Sequence, residues 1–274
     1  MTILSRARPE IARLDPYQSA RKQYTGTGPA VLLNANENPW PARAHTGSAL
    51  NRYPDPQPEE LAQAMANFYG VMPSQVLMTR GSDEGIDLLV RAFCRAGKDQ
   101  IVQCPPCFGM YRIAAEIQGA KVLKVPLNED DFELNADAIL AACGDYTKIV
   151  FLTTPNNPTG NSIPREVLLD LIDTLQRKTI VAVDEAYIEF SDQHSISNVI
   201  NEYDNLVVFR TLSKAFALAG ARCGAMLGAP SVLDLLRRII PPYPLPGPTI
   251  KAALGVFDSA GLQDTGNKLS LIHI

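Results

Sequence analysis

Several polar side chains stand at the ends of apolar runs, and together they could carry carbonyl–amine chemistry. Lys214 closes the run NLVVFRTLSK (205–214), with Ser213 beside it and Arg222 further on in KAFALAGARCG. A desolvated lysine can condense with a carbonyl ligand at neutral pH, and Ser and Arg can hold a phosphate, Arg with a two-pronged fork. Asp184 follows the apolar IVAV, where a carboxylate is costly unless it meets a cation or a strong donor. A protonated ring nitrogen would satisfy it. Tyr187 and the Asn157 amide, in the turn NNPTG (156–160), could bond a phenolate oxygen. Gly81-Ser82-Asp83-Glu84-Gly85 lies between strand-like VLMTR (76–80) and a helix, whose free N–H groups could cradle a phosphate. Singly, each has a plainer reading. Lys214 could be a solvated surface lysine, Ser82 or Asp83 a helix cap, Asp184 a local cap, Tyr187 a core tyrosine, and Asn157 part of a rigid turn. Jointly they point to pyridoxal chemistry, which requires an Asp for the ring nitrogen and a lysine that condenses with the aldehyde.

The elements that must position these groups follow from periodicity. DEGIDLLVRAFCRAG (83–97) has apolar residues at helical spacing and is predicted to end at Gly97. MYRIAAEIQGA (110–120) reads as a helix stopped by Gly119, and PREVLLDLIDTLQRK (164–178) as a helix with Pro at its start. QIVQC (100–104), KVLKVPL (121–127), KIVFLTT (148–154), TIVAVDEAY (179–187) and NLVVFRTLSK (205–214) read as strands. Short buried strands alternating with helices predict an α/β fold around a mostly parallel sheet, with helices on both faces. Ligands collect outside the carboxyl ends of such strands, where the candidate residues stand. Residues 1–30 read as an N-terminal arm, and the Pro-rich PPYPLPGP (241–248) as a boundary before a helix at TIKAALGVFDSAG (249–261).

The chain has 274 residues, enough for one large domain and part of a second. A net charge of −4 argues against a nucleic-acid or anionic-membrane partner. No apolar run spans a bilayer and the N-terminus shows no signal-peptide core, so a cytoplasmic location is expected. Only three histidines are present, so a proton carrier other than His is expected. Cys104-Pro-Pro-Cys107 superficially offers a redox or zinc pair, but a zinc site needs two further ligands and no second pair has the spacing. The five cysteines read as small apolar side chains in a reduced compartment, and no metal is expected.

The chain resembles a known family through LDPYQSAR (14–21), LNANENP (33–39), NRYPDPQP (51–58), TRGSDEGIDLL (79–89), PNNPTG (155–160), VDEAYIEF (183–190), RTLSKAFALAGARCG (210–224) and PPYPLP (241–246). These are similar to histidinol-phosphate aminotransferases, fold-type I enzymes that use pyridoxal 5′-phosphate. The resemblance implies that Lys214 holds the cofactor and then moves the proton, that Asp184 pairs with the ring nitrogen, and that Tyr187 and Asn157 bond its phenolic oxygen. Backbone N–H groups around Ser82 and Asp83, with Ser213 and Arg222, would hold the cofactor phosphate. Phe108 would stack on the ring, in a place where the family pattern has tyrosine. Tyr53 would reach the cofactor phosphate of a partner subunit, implying a homodimer, and Tyr17 and Asn36, with Asn157, would line the substrate side. The implied reaction is transamination of L-histidinol phosphate with 2-oxoglutarate, giving imidazole-acetol phosphate and L-glutamate in histidine biosynthesis. A lyase acting on a phosphorylated amino acid would share the same cradle, and a cofactor-binding remnant without turnover is the non-enzyme alternative.

The resemblance also implies domains: a large cofactor-binding domain over 31–248 and the start of a small domain over 249–268. The rest of that small domain, with arginines that grip the substrate, would follow and is largely missing here. The last residues, LSLIHI (269–274), match the translation of a sequencing-adapter end, CTGTCTCTTATACACATC, and are expected not to be native. Poor activity is expected of such a fragment.

Overall fold

A computed structural model describes residues 2–17, 35–42, 50–258, 260–263 and 265. The expected tail 269–274, most of the arm beyond residue 17, and parts of the 14–21 and 33–39 motifs lie outside the described residues. The strands are β1 (Val76–Thr79), β2 (Gln100–Gln103), β3 (Lys121–Lys124), β4 (Thr147–Thr153), β5 (Ile180–Asp184), β6 (Leu206–Thr211) and β7 (Gly224–Gly228). They form one sheet in the order β1-β7-β6-β5-β4-β2-β3. All pair in parallel except β7, which runs antiparallel to both β6 and β1. The expected mostly parallel sheet is therefore present, with one reversed strand that the apolar pattern did not mark.

Among the described residues the α-helices are α1 (Pro9–Ala12), α2 (Glu59–Tyr69), α3 (Gly81–Phe93), α4 (Met110–Gln118), α5 (Ala136–Ala142), α6 (Arg165–Thr174), α7 (Pro230–Arg237) and α8 (Gly247–Phe257). Successive strand residues point to opposite faces, so the sheet builds two cores. On one face Val150, Leu152, Val181, Val183 and Val208 pack with Leu61 and Met65 of α2, Ile139 of α5, and Leu168 and Ile172 of α6. On the other, Ile149, Phe151, Ala182 and Phe209 meet Ile86, Leu89 and Phe93 of α3, Tyr111 and Ala114 of α4, and Leu233 and Leu236 of α7. Each fully buried Leu or Phe contributes about 1.5–3 kcal/mol, so covering both faces is what holds the central strands in place.

Several boundaries differ from expectation. The helix predicted to run to Gly97 ends at Phe93, because Cys94 turns to extended backbone. Neither Ser82 nor Asp83 caps this helix; it opens at Gly81, and the Glu84 carboxylate accepts from the Arg80 N–H at 2.7 Å. The prediction at Gly119 holds, for that glycine takes the left-handed φ of 74° that stops α4. The first residues pack rather than trail: Ile3 is fully buried in the second core and the Arg8 N–H donates to the Ala92 carbonyl at 2.9 Å. Residues after the Pro-rich stretch also join the main body. Ala253 of α8 is fully buried in the first core, and Phe257 meets Phe68 of α2 with ring centroids 5.4 Å apart. No helix among the described residues is long and apolar enough to cross a membrane.

Candidate active site

Because β1, β4, β5 and β6 run the same way, Thr79, Thr153, Asp184 and Thr211 end them on one edge of the sheet. The reversed β7 starts on that edge, since Gly224 is registered against both Thr211 and Thr79. The connection from β6 to β7 therefore holds Ser213, Lys214 and Arg222 over the same spot. A cavity of about 150 Å³ opens there. Nine expected residues line it: Ser82, Asp83, Phe108, Asn157, Asp184, Tyr187, Ser213, Lys214 and Arg222. Thr153, Ala186, Thr211 and Ala219 line it as well. These four carried no signal in the sequence, since small residues at strand ends are common.

Asp184 is the most buried charged group of the cavity, at 3% exposure. Its Oδ1 accepts from the Ala186 N–H at 3.0 Å and its Oδ2 from the Tyr111 hydroxyl at 2.7 Å. A local bond and a long-range one thus coexist. No lysine, arginine or histidine forms an ion pair with it among the described residues. Burial raises its carboxyl above the ordinary range, while the two donors and the charge of Lys214 pull the other way. Lys214 lines the cavity and is exposed, with Nζ 5.5 Å from the centre of the Tyr187 ring. The Asn157 amide donates to the Tyr187 hydroxyl at 3.3 Å, tying the turn after β4 to the turn after β5.

At the other end of the cavity α3 begins. Arg222, at a left-handed φ of 54°, lays its guanidinium across the first turn of α3, donating to Asp83 at 3.1 Å and to Ser213 at 3.4 Å. Gly81 makes this approach feasible: its φ is 76°, and a Cβ there would stand 2.9 Å from the guanidinium. Helix N-terminal N–H groups, an arginine fork and a serine hydroxyl are groups that can hold an anion, and the Asp83 carboxylate takes one arm of that fork here.

Three expected residues do not line this cavity. Tyr53 is 49% exposed and stacks on Tyr243 with centroids 4.5 Å apart. Tyr17, 66% exposed, borders a separate hollow with Pro56, Gln57 and Arg237. Asn36 is exposed, with a φ of 53°. Phe108 does line the cavity, edge-on to Tyr111 at 5.8 Å. Cys104 and Cys107 are free thiols on a different cavity, and burial pushes them up to about 12 and about 11. Sequence reasoning missed a buried ion cluster beside the site, in which Arg210 bonds Glu185 and Glu189. The charged residues within apolar β6 and just after β5 were its available signal.

A family model for class I and II aminotransferases matches residues 17–270. The histidinol-phosphate aminotransferase 1 of Haemophilus influenzae is 48% identical over 254 residues, covering 92% of this chain and 71% of that protein. The histidinol-phosphate aminotransferase of Baumannia cicadellinicola is 45% identical, covering 100% of this chain and 76% of that protein. Among solved structures, histidinol-phosphate aminotransferase from Sinorhizobium meliloti in complex with pyridoxal-5′-phosphate superposes with a TM-score of 0.74 at 26% identity. That match covers 80% of this chain, which spans 59% of the solved one.

Proposed function

The chain belongs to the class I and II aminotransferases, among the histidinol-phosphate aminotransferases, and from that premise we propose that its cavity transfers an amino group from L-histidinol phosphate to 2-oxoglutarate. The products are imidazole-acetol phosphate and L-glutamate, in histidine biosynthesis. The observation that carries this reading is Asp184, a buried carboxylate on a cavity wall with no cationic side chain paired to it among the described residues. A lone buried charge is costly, and a protonated pyridine nitrogen supplies the missing partner. The anion seat of Arg222, Ser213 and the start of α3 lies on the same cavity, so the residues present fit pyridoxal 5′-phosphate.

When bound, this cofactor supplies an electron sink for cleaving bonds at the substrate's α-carbon. The protein's part is positioning and proton movement. Asp184 keeps the proton on the ring nitrogen by its charge. Asn157 and Tyr187, already joined by a hydrogen bond, offer donors to the phenolic oxygen. Phe108 would cover the ring, and the backbone N–H groups around Ser82 and Asp83, with Ser213 and Arg222, would hold the phosphate. Lys214 takes the proton from the α-carbon and later returns one, which gives two half-reactions and ping-pong kinetics.

A homodimer completes the reading. Tyr53 is exposed and away from its own chain's cavity, which favours a role at a partner subunit's cofactor phosphate. Tyr17 and Asn36 belong to the substrate side of that assembled site. Residues 31–248 are assigned to the cofactor-binding domain and 249–268 to the start of a smaller one, whose α8 packs on the first core. The location is cytoplasmic. The test is incubation with both substrates and pyridoxal 5′-phosphate, followed by assay for glutamate. Glutamate formation is expected, and its absence in cofactor-loaded protein, with carbon dioxide released from a phosphorylated amino acid, overturns the assignment.

A further inference from the structure

Asp184 does not stand alone in the wall of the cavity. The buried tyrosine Tyr111, on the first turn of α4, places its hydroxyl 2.7 Å from Asp184 Oδ2 and 2.9 Å from the Thr153 hydroxyl. A tyrosine has a single hydroxyl proton and an ionised carboxylate has none, so the polarity of this chain is determined. Tyr111 donates to Asp184, and Thr153 donates to Tyr111. The phenol is fully buried and its ionisation is pushed well above the ordinary tyrosine value, first by desolvation and then by the Asp184 charge. It therefore stays a donor. Its ring is clamped as well: it stacks on Phe151 at 4.6 Å with an interplanar angle of 8°, and meets Phe108 edge-on.

We propose that Tyr111 is a positioning residue for the amino-group transfer: its hydroxyl, oriented by Thr153, holds the Asp184 carboxylate ionised and in place, so that Asp184 can keep a proton on the cofactor's ring nitrogen. The inference rests on the reading that this cavity takes pyridoxal 5′-phosphate with Asp184 at that nitrogen. The physical case is asymmetric. Burial alone favours the neutral acid, which would neither attract nor retain a ring proton. Of the two donors, the Ala186 N–H comes from the same turn and accompanies Asp184 wherever the turn goes. The Tyr111 hydroxyl comes from α4, whose Tyr111 ring stacks on Phe151 of β4, so among the described residues it is the donor that ties the carboxylate to a second element of the fold.

The experiment compares binding of pyridoxal 5′-phosphate with its 1-deaza analogue, which has carbon in place of the ring nitrogen, in the wild type, Tyr111→Phe, Thr153→Val and Asp184→Asn. Phenylalanine retains the stack on Phe151 and loses only the hydroxyl. Tyr111→Phe is expected to weaken the cofactor by roughly tenfold or more, the scale of one hydrogen bond to a charged group. The analogue should bind as it does to the wild type. A purely structural role would weaken both ligands alike, and that result, or no change in either, overturns the proposal. Should Tyr111→Phe fail to fold, as judged by circular dichroism, Thr153→Val tests the same chain. A smaller loss confined to the nitrogen-bearing cofactor supports the proposal, and equal effects on both ligands refute it. If the wild type and Asp184→Asn do not discriminate the two ligands, the placing of Asp184 at the ring nitrogen fails, and this inference falls with it.

Discussion

The Arg210 guanidinium donates to Glu185 at 3.3 Å with both side chains at 5% exposure or less, joining the residue after Asp184 to the strand that leads to Lys214. Glu189 takes the other arm of the fork, the Tyr69 ring lies 4.5 Å from the guanidinium carbon, and Glu185 accepts further bonds from Ser195 and the Ile196 N–H. The ends of β5 and β6 are thereby locked from behind, on the side away from the cavity's contents. Arg210→Met leaves the buried Glu185 and the partly buried Glu189 without their cation. It is expected to cost about 3–5 kcal/mol in urea unfolding, with part of the loss recovered when Glu185→Leu is added. A loss under 1 kcal/mol would show that the cluster does not hold the strand ends.

A second buried cluster is predicted to govern acid stability. Asp99 is fully buried, bonded by Arg95 at 2.7 Å and faced by Lys148 at 3.7 Å. Burial raises its carboxyl, but the Arg95 bonds and the Lys148 charge outweigh it and hold the group below the ordinary carboxylate range. A lowered folded value means that the stabilisation is complete above the unfolded value of about 4 and is lost as pH falls through the folded one. Asp99→Asn should cost about 3 kcal/mol at pH 7, and the gap to the wild type should narrow on acidification below about pH 4. Urea titrations at several pH values would check this, and a gap that widened in acid would contradict it.

Gly81→Ala should damage the anion seat selectively. The added Cβ stands 2.9 Å from Arg222 and imposes a left-handed backbone on a residue with a side chain, at about 1–2 kcal/mol. Affinity for pyridoxal 5′-phosphate should fall roughly tenfold through the lost arginine fork. Pyridoxal without its phosphate should bind the variant as it binds the wild type, and equal losses for both would place the damage elsewhere.

Lys214→Ala should abolish the visible absorbance that pyridoxal 5′-phosphate gains on linkage to a lysine, while phosphate-driven binding, followed by equilibrium dialysis, persists. Transamination should drop by at least about a thousandfold, the range of a lost proton carrier. Retention of the absorbance would assign the linkage to a different lysine.

The sequence by itself determined the polar ends of the apolar runs. A buried strand needs consecutive apolar residues, so Asp184 after IVAV and Lys214 after NLVVFRTLS were marked by local pattern, as were the alternating helices and the largely parallel sheet. Gly119 was legible for the same reason: a helix stop is a local event. What only the tertiary structure decided concerns partners distant in the chain. Tyr111 has the helical spacing of an ordinary core residue, and nothing local says that its hydroxyl meets Asp184, 73 positions away. Arg222 reaches α3 because β7 runs backwards between β6 and β1, a strand order that follows from packing the whole sheet and is not encoded in any one run. Arg210 and Glu185 read as charges in or beside apolar strands until the fold brought them together, since an ion pair depends on register between strands and hydropathy reports only burial along one.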